Sequence, residues 1–228
     1  MNTLSELRST APWLVHVSTD IVVFGIWQDQ LQVLLRRHPP RAGRDAPWAL
    51  PGGYVGPVEH LDRSAEHTLA QQTGVSDVYI EQLYTFGRPD RHPTSRVITV
   101  AYFALIPPQR VREISLRPTP EVRWYSIDCL PALYLDHNEI IELARQRLIA
   151  KLNYSTIAFQ LLAPEFTLGE LQRVFEMIIN EKVDKRNFRK RILSLECVEV
   201  TGKKLRQGCH RPAALYRHKS PGVVQYIK

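Results

Sequence analysis

A chain of 228 residues, 44% of them hydrophobic, is long enough for two cores, and it holds no run of eighteen apolar residues, which excludes a membrane-spanning helix. Three cysteines, Cys129, Cys197 and Cys209, form no Cys-x-x-Cys pair and leave an odd count; this excludes a disulfide framework and predicts a reducing, cytoplasmic setting. The net charge of +7 is unevenly placed: residues 1–150 hold 15 Lys and Arg against 16 Asp and Glu, residues 151–228 hold 15 against 7, so a near-neutral half precedes a basic half suited to a polyanion.

Leu14 to Trp27 and Leu31 to Leu35 are β-rich runs separated by Gln28-Asp29-Gln30, the pattern of a hairpin. The second run ends in Arg36-Arg37. Arg37 at that end either grips a diphosphate through its fork of donors or stands as a solvated strand terminus. His38 to Pro47 contains three prolines among alternating charges and reads as a surface loop.

Next come Trp48-Ala-Leu-Pro-Gly-Gly-Tyr54 and a helix over Asp62 to Thr73, closed by Gly74 just past its C-terminus. Leu61, Ala65 and Leu69 repeat every four residues as its buried stripe, while Thr68, Gln71 and Gln72 share another face. Val78 to Phe86 and Val97 to Ile106 are two further strands. Between them, Gly87-Arg-Pro-Asp-Arg-His-Pro93 offers Arg88 and Arg91 as anion donors, with Phe86 and Tyr54 as faces for a base. Further on, His137 to Leu152 has helical spacing at Ile140, Ile141, Ala144 and Leu148.

The frame of residues 48–75 resembles a Nudix box, which in that hydrolase family reads Gly, five residues, Glu, seven residues, then Arg-Glu-U-x-Glu-Glu-x-Gly-U with U aliphatic. Gly53, Glu59, Leu69, Gly74 and Val75 fall into place. His67 stands where the family has Arg, Thr68 where it has the first helical Glu, and Gln71 and Gln72 where it has the glutamate pair. In such hydrolases three carboxylates on that face hold divalent metal. Here the face is uncharged, and Glu59 in the loop and Glu66 across the helix cannot rebuild it alone, so neither magnesium nor ordinary turnover is expected. Phe86, Gly87, Pro89, Arg91 and Pro93 also resemble the corresponding loop of ADP-ribose-type Nudix proteins. This implies a nucleotide-diphosphate-sugar ligand in a pocket formed by Arg37, Gly53, Tyr54, Glu59, Phe86, Arg88 and Arg91.

Ser155 to Leu162 is a short apolar helix halted by Pro164. Thr167-Leu-Gly-Glu170 is a capping-box pattern opening a helix through Leu171, Val174, Phe175 and Ile178. Asn180 to Val183 is a turn, and Asp184 caps the helix Lys185 to Leu195, whose Phe188, Ile192 and Leu195 face a core while Arg186, Arg189 and Lys190 face outward. This is the layout of a helix-turn-helix with a cationic recognition helix. Cys197 to Val200 and Ala213 to Arg217 are strands flanking a glycine-containing loop with Lys203, Lys204, Arg206 and Arg211, which reads as a wing whose charges lie along the phosphates or reach a minor groove. Cys209-His210 lacks the second ligand pair of a zinc site.

The expected fold class is therefore α+β: a Nudix α/β/α sandwich with a mixed sheet over residues 1–152, then a winged helix-turn-helix over 153–228. Such a chain resembles the Nudix-related transcriptional regulators of the NrtR family, which share a run similar to Lys185-Arg-Asn-Phe-Arg-Lys-Arg. The resemblance implies a homodimeric repressor of NAD-metabolism genes that releases double-stranded operator DNA on binding an ADP-ribose-like effector, needs no cofactor, and contacts DNA through Lys185, Arg186, Asn187, Arg189, Lys190, Lys203, Lys204, Arg206 and Arg211. The rival readings are a divergent metal-dependent hydrolase of a nucleoside diphosphate derivative and an RNA or protein adaptor.

Overall fold

The computed structural model describes residues 14–39, 46–116, 119–206 and 212–227. Arg211, the Cys209-His210 pair and most of the loop before Pro47 lie outside them.

The first half is a seven-stranded mixed sheet between helices. Its strands are β1 (Val15–Trp27), β2 (Gln30–Arg37), β3 (Trp48–Ala49), β4 (Gly52–Tyr54), β5 (Tyr79–Phe86), β6 (Arg96–Leu105) and β7 (Val122–Ser126). The order is β3-β2-β1-β6-β5, with β4 added on β1 and β7 on β2. The β1–β6 pair is parallel and the other pairs are antiparallel. Both faces of β1 are covered, which is why Ile21 to Phe24 reads as an unbroken apolar run rather than an alternation. Ile21 and Val23 pack with Ala65 and Leu69 of α1 (Leu61–Thr73) and Val111 of α2 (Pro108–Leu116). Val22 and Phe24 pack with Ile140, Ile141, Ala144 and Leu148 of α3 (His137–Leu152) on the other face. The β1–β2 hairpin turns on Gln28 and Asp29, both with positive φ, as a two-residue turn between right-twisted strands requires.

One local feature makes room for a site. The first half of β1 pairs with β4 (Asp20 opposite Gly52), whereas its second half pairs with β2 (Val23 opposite Leu34). The two partners part at Asp20, and the gap between them is the floor of a pocket.

After α3 come a short 3-10 turn (Ile157–Leu161), α4 (Leu168–Ile179), α5 (Lys185–Ser194) and a hairpin of β8 (Val198–Leu205) and β9 (Ala213–His218). The capping box forms: the Thr167 hydroxyl accepts the Glu170 N–H, and the Glu170 carboxylate accepts the Thr167 N–H. Asp184 caps α5 by accepting the Asn187 N–H at 2.8 Å. Leu171, Val174, Phe175, Ile178, Phe188, Ile192 and Val198 belong to the same apolar cluster as Leu148 and Leu152 of α3, so the winged helix is welded to the end of that helix. Residues near the C-terminus return to the connecting segment: the Thr156 N–H donates to the Gln225 carbonyl and the Ile227 N–H to the Tyr154 carbonyl.

Three details depart from the sequence expectation. Helix α2 was unannounced; Pro108 occupies its first turn, where a missing N–H costs nothing. The 155–162 segment shortens to a 3-10 turn. The first wing strand continues to Leu205, with a register shift between Val200 and Lys204 around Gly202 (φ 78°), a bulge that the glycine and lysines had disguised as loop.

Candidate functional site

The gap beside Asp20 is a cavity of about 120 Å³, lined by Asp20, Arg36, Gly52, Gly53, Tyr54, Arg91, Tyr134 and His137, among others. Its wall is ionic and dry. The Arg91 side chain is 2% exposed; its Nε donates to Asp136 Oδ2 at 3.0 Å, and its Nη2 to Asp136 Oδ1 at 2.8 Å and to Asp20 Oδ2 at 3.5 Å. His137 Nδ1 accepts the Leu50 N–H at 2.9 Å, which leaves the proton of the neutral ring on Nε2, 3.6 Å from Asp20 Oδ1. Burial pushes the His137 pKa down, although Asp20 and Asp136 oppose the shift. Gly52 is required by close approach: a Cβ there would stand 2.4 Å from Asp20 Oδ1 and 2.5 Å from the Thr19 carbonyl.

Of the expected pocket residues, Gly53, Tyr54 and Arg91 line this cavity together. The other four stand elsewhere. Arg37 is exposed, stacks over the Trp48 ring at 4.3 Å and donates to the Ala46 carbonyl. It is Arg36 that reaches the cavity, with its buried Nε unpartnered among the described residues and its pKa lowered by burial against the pull of Asp20. Glu59 lines a separate groove beside α1, where it lies 3.6 Å from His67 Nδ1; a hydrogen bond from Ser64 is the main cause holding its carboxyl below the usual range. Arg88 is paired with Glu139 at 3.0 Å on the surface, and Phe86 packs edge-on against Tyr84.

The box helix presents Thr68 and Gln72 to Gly53, whose Cβ position is 3.9 Å from Thr68 Cγ2 and 4.0 Å from Gln72 Nε2. Gln72 is engaged: its Oε1 accepts the Gly52 N–H at 3.0 Å, and its Nε2 donates to the Gly52 carbonyl at 2.8 Å. A magnesium ion wants several hard oxygen ligands, carboxylates first. Thr68, Gln71 and an amide already closed on backbone do not supply them, and the described residues contain no group of three His, Cys, Asp or Glu able to hold a metal. The residues present do not fit the metal of the hydrolases.

The second candidate surface is α5. Lys185, Arg186, Asn187, Arg189 and Lys190 are all exposed, while Phe188 and Ile192 are buried, with Phe188 edge-on to Phe175 of α4. Lys204 and Arg206 on the wing are exposed, and Lys203 is paired with Glu165 at 2.8 Å. The turn entering α5 is organised by Glu176, which accepts from Gln172 Nε2 (2.9 Å), Lys182 Nζ (2.9 Å) and the Val183 N–H (3.2 Å). These donors, Lys182 foremost, bring its pKa down to about 2.

Comparison with known proteins fits both halves. Residues 16–144 match the NUDIX domain model and residues 158–218 that of the NrtR DNA-binding winged helix domain. An ADPR responsive transcriptional repressor, NtrR, of Acinetobacter baylyi is 33% identical over 207 residues, spanning 88% of this chain and 81% of its own. The chain belongs to the NrtR family. A crystal structure of Shewanella oneidensis NrtR complexed with a 27mer DNA superposes with a TM-score of 0.80 at 34% identity, covering 89% of this chain and 93% of that one. An ADP-ribose pyrophosphatase of Methanocaldococcus jannaschii matches the Nudix half, at 24% identity over 137 residues, 59% of this chain and 78% of the enzyme.

In this NrtR-family chain, sequence reasoning missed Asp20, Arg36, Asp136, His137 and Glu176. Asp20 carried a signal, a carboxylate immediately before four buried apolar strand residues, where only a partnered charge survives. Asp136 and His137 carried none, because their role depends on where the start of α3 meets the sheet.

Proposed function

We propose that this protein is a DNA-binding transcriptional repressor whose Nudix domain binds ADP-ribose or a closely related nucleotide without turning it over, and that ligand binding releases the operator. The observation that carries the reading is the Gln72–Gly52 clamp: the helix face that holds metal in a hydrolase is used here to keep the loop in shape beside an intact pocket. The Acinetobacter relative, described as an ADPR responsive repressor, supports the choice of ligand.

A pocket with Arg36 and Arg91 in its wall suits a diphosphate, since guanidinium forks grip phosphate oxygens at two points. About 120 Å³ admits that group or a ribose; a whole nucleotide, which calls for roughly 300 Å³ or more, extends beyond its mouth. Lys185, Arg186, Asn187, Arg189 and Lys190 are assigned to the major groove and Lys203, Lys204, Arg206 and Arg211 to the backbone. The functional unit is a homodimer acting on genes of NAD metabolism, with the domain boundary after Leu152.

The test is calorimetric titration with ADP-ribose alongside chromatography for AMP in the presence of magnesium. Saturable binding without AMP is expected. Magnesium-dependent AMP release that disappears in Glu59→Gln would instead make the protein a divergent hydrolase.

A further inference from the structure

Helix α3 touches both candidate sites. Its first residues are built into the pocket wall and its last residues are held by the helix assigned to DNA. Asp136 stands at the N-cap of α3 but makes no capping hydrogen bond to it; its carboxylate, 4% exposed, is turned instead onto Arg91. His137, the next residue, bridges the Leu50 N–H and Asp20. The helix is sixteen residues long, about 24 Å at 1.5 Å per residue, and its last residue is in contact with α5. There Arg191 Nη2 donates to the Leu152 carbonyl at 3.4 Å and to the Asn153 carbonyl at 3.1 Å. These are carbonyls at the helix terminus, where a cation is favoured. Among the described residues, Arg191 is the one basic residue of the Lys185-Arg-Asn-Phe-Arg-Lys-Arg run that bonds back to the Nudix half. Between the two ends, Ile140, Ile141, Ala144, Leu148 and Leu152 pack into the cluster shared with α4 and α5.

We infer that α3 is the coupling strut of the repressor and that Arg191 is the positioning residue through which it sets α5. This rests on the function proposed above. A ligand diphosphate entering the pocket competes with Asp136 for the Arg91 guanidinium. Once freed, the carboxylate is at the N-cap, where it can accept the Asn138 N–H, since the His137 and Glu139 N–H groups already donate to the Tyr134 and Asp136 carbonyls. The start of α3 then loses the Asp136 tether to the pocket wall and keeps only that of His137. The displacement reaches α5 because Arg191 joins the far end of the strut to the helix that carries the exposed cations. Coupling of this kind is reciprocal, so bound DNA must weaken the ligand by the same factor.

The test compares wild type, Arg191→Met and Arg191→Lys by fluorescence anisotropy on the operator duplex, with and without ADP-ribose, and by calorimetry of ADP-ribose on the free protein. Arg191→Met keeps the apolar stem and removes the donors. Its operator affinity without ligand and its ADP-ribose affinity without DNA should each stay within about threefold of wild type, while the ligand-induced weakening of operator binding falls by about tenfold, with partial recovery in Arg191→Lys. A merely structural role would lower affinity and leave that ratio unchanged. An undiminished ADP-ribose response in Arg191→Met overturns the strut while leaving the repressor reading intact. A wild-type protein whose operator binding ignores ADP-ribose overturns the repressor reading and the strut with it.

Discussion

The side-chain amide of Gln72 closes two hydrogen bonds on the backbone of one residue, Gly52, accepting its N–H and donating to its carbonyl. An ionised carboxylate cannot do both. A carboxylate at this position keeps the first bond and sets a negative oxygen against the Gly52 carbonyl. Gln72→Glu should therefore cost about 1–3 kcal/mol at neutral pH, the penalty of a part-buried unpaired acceptor, and the cost should shrink on acidification as the new carboxyl gains a proton. Urea unfolding at pH 7.5 and pH 5 reads both. Equal stability of the two proteins at pH 7.5 would show that the clamp is idle.

Arg91 and Asp136 form a nearly dry ion pair, 2% and 4% exposed. Removing one partner of such a pair leaves a buried charge, at a cost of about 3–5 kcal/mol. Asp136→Ala belongs at the low end of that range because Asp20 stays within 3.5 Å of the guanidinium. Denaturant unfolding measures it, and a loss below about 1 kcal/mol would mean that Arg91 finds water.

His137 gives the pH dependence its sign. Burial holds its pKa below 6.5, so the folded protein binds fewer protons there than the unfolded chain. Its neutral-state stability is complete above pH 6.5 and is lost as pH falls from that value toward the folded pKa. His218 is lowered by burial in the same sense. Stability should decline below pH 6.5 with a slope of up to about 1.4 kcal/mol per pH unit for each histidine. His137→Asn, which retains an acceptor for the Leu50 N–H, should flatten part of that decline. An unaltered slope in the variant would assign the effect elsewhere.

Glu176 gathers three donors at the turn before α5. Glu176→Ala leaves the Val183 N–H without its acceptor and should cost about 1–3 kcal/mol, with weaker operator binding because the entry to α5 is no longer fixed. In the wild type this contribution is present above pH 4.5 and is lost as pH falls from there toward about 2. Operator affinity retained in Glu176→Ala would show that α5 is set by its apolar face alone.

The exposed face of α5 makes a salt prediction. Arg186→Ala and Arg189→Ala should each weaken operator binding, and each lost phosphate contact should reduce the slope of log K against log salt by about 0.9. Arg110→Ala, on the surface pair with Glu113 in the Nudix half, should change neither. Variants of α5 with unchanged affinity and slope would move the DNA elsewhere.

What was legible in the sequence follows physical range. Caps are local, and Thr167, Glu170 and Asp184 form the bonds their spacing predicted. The faces of α1 and α5 were legible because helical periodicity alone decides which residues are buried. The choice between Arg36 and Arg37 was not, since neighbouring strand residues point to opposite sides and the pairing register decides which one enters the cavity. Nor was the buried Arg91 network, which joins Asp20, Asp136 and His137 over sequence separations of 45 and 71 residues. Gln72 looked like a simple loss of charge, and its clamp on Gly52 appears only once helix and loop are placed together.

The central claim is that one pocket ligand controls the DNA surface. Fluorescence anisotropy of the protein on labelled duplex from upstream of its own gene, competed with random duplex and then titrated with ADP-ribose, measures that directly. The account predicts binding that resists random DNA and collapses as ADP-ribose saturates the Nudix pocket. Binding no tighter than to random DNA and unmoved by ADP-ribose would contradict it.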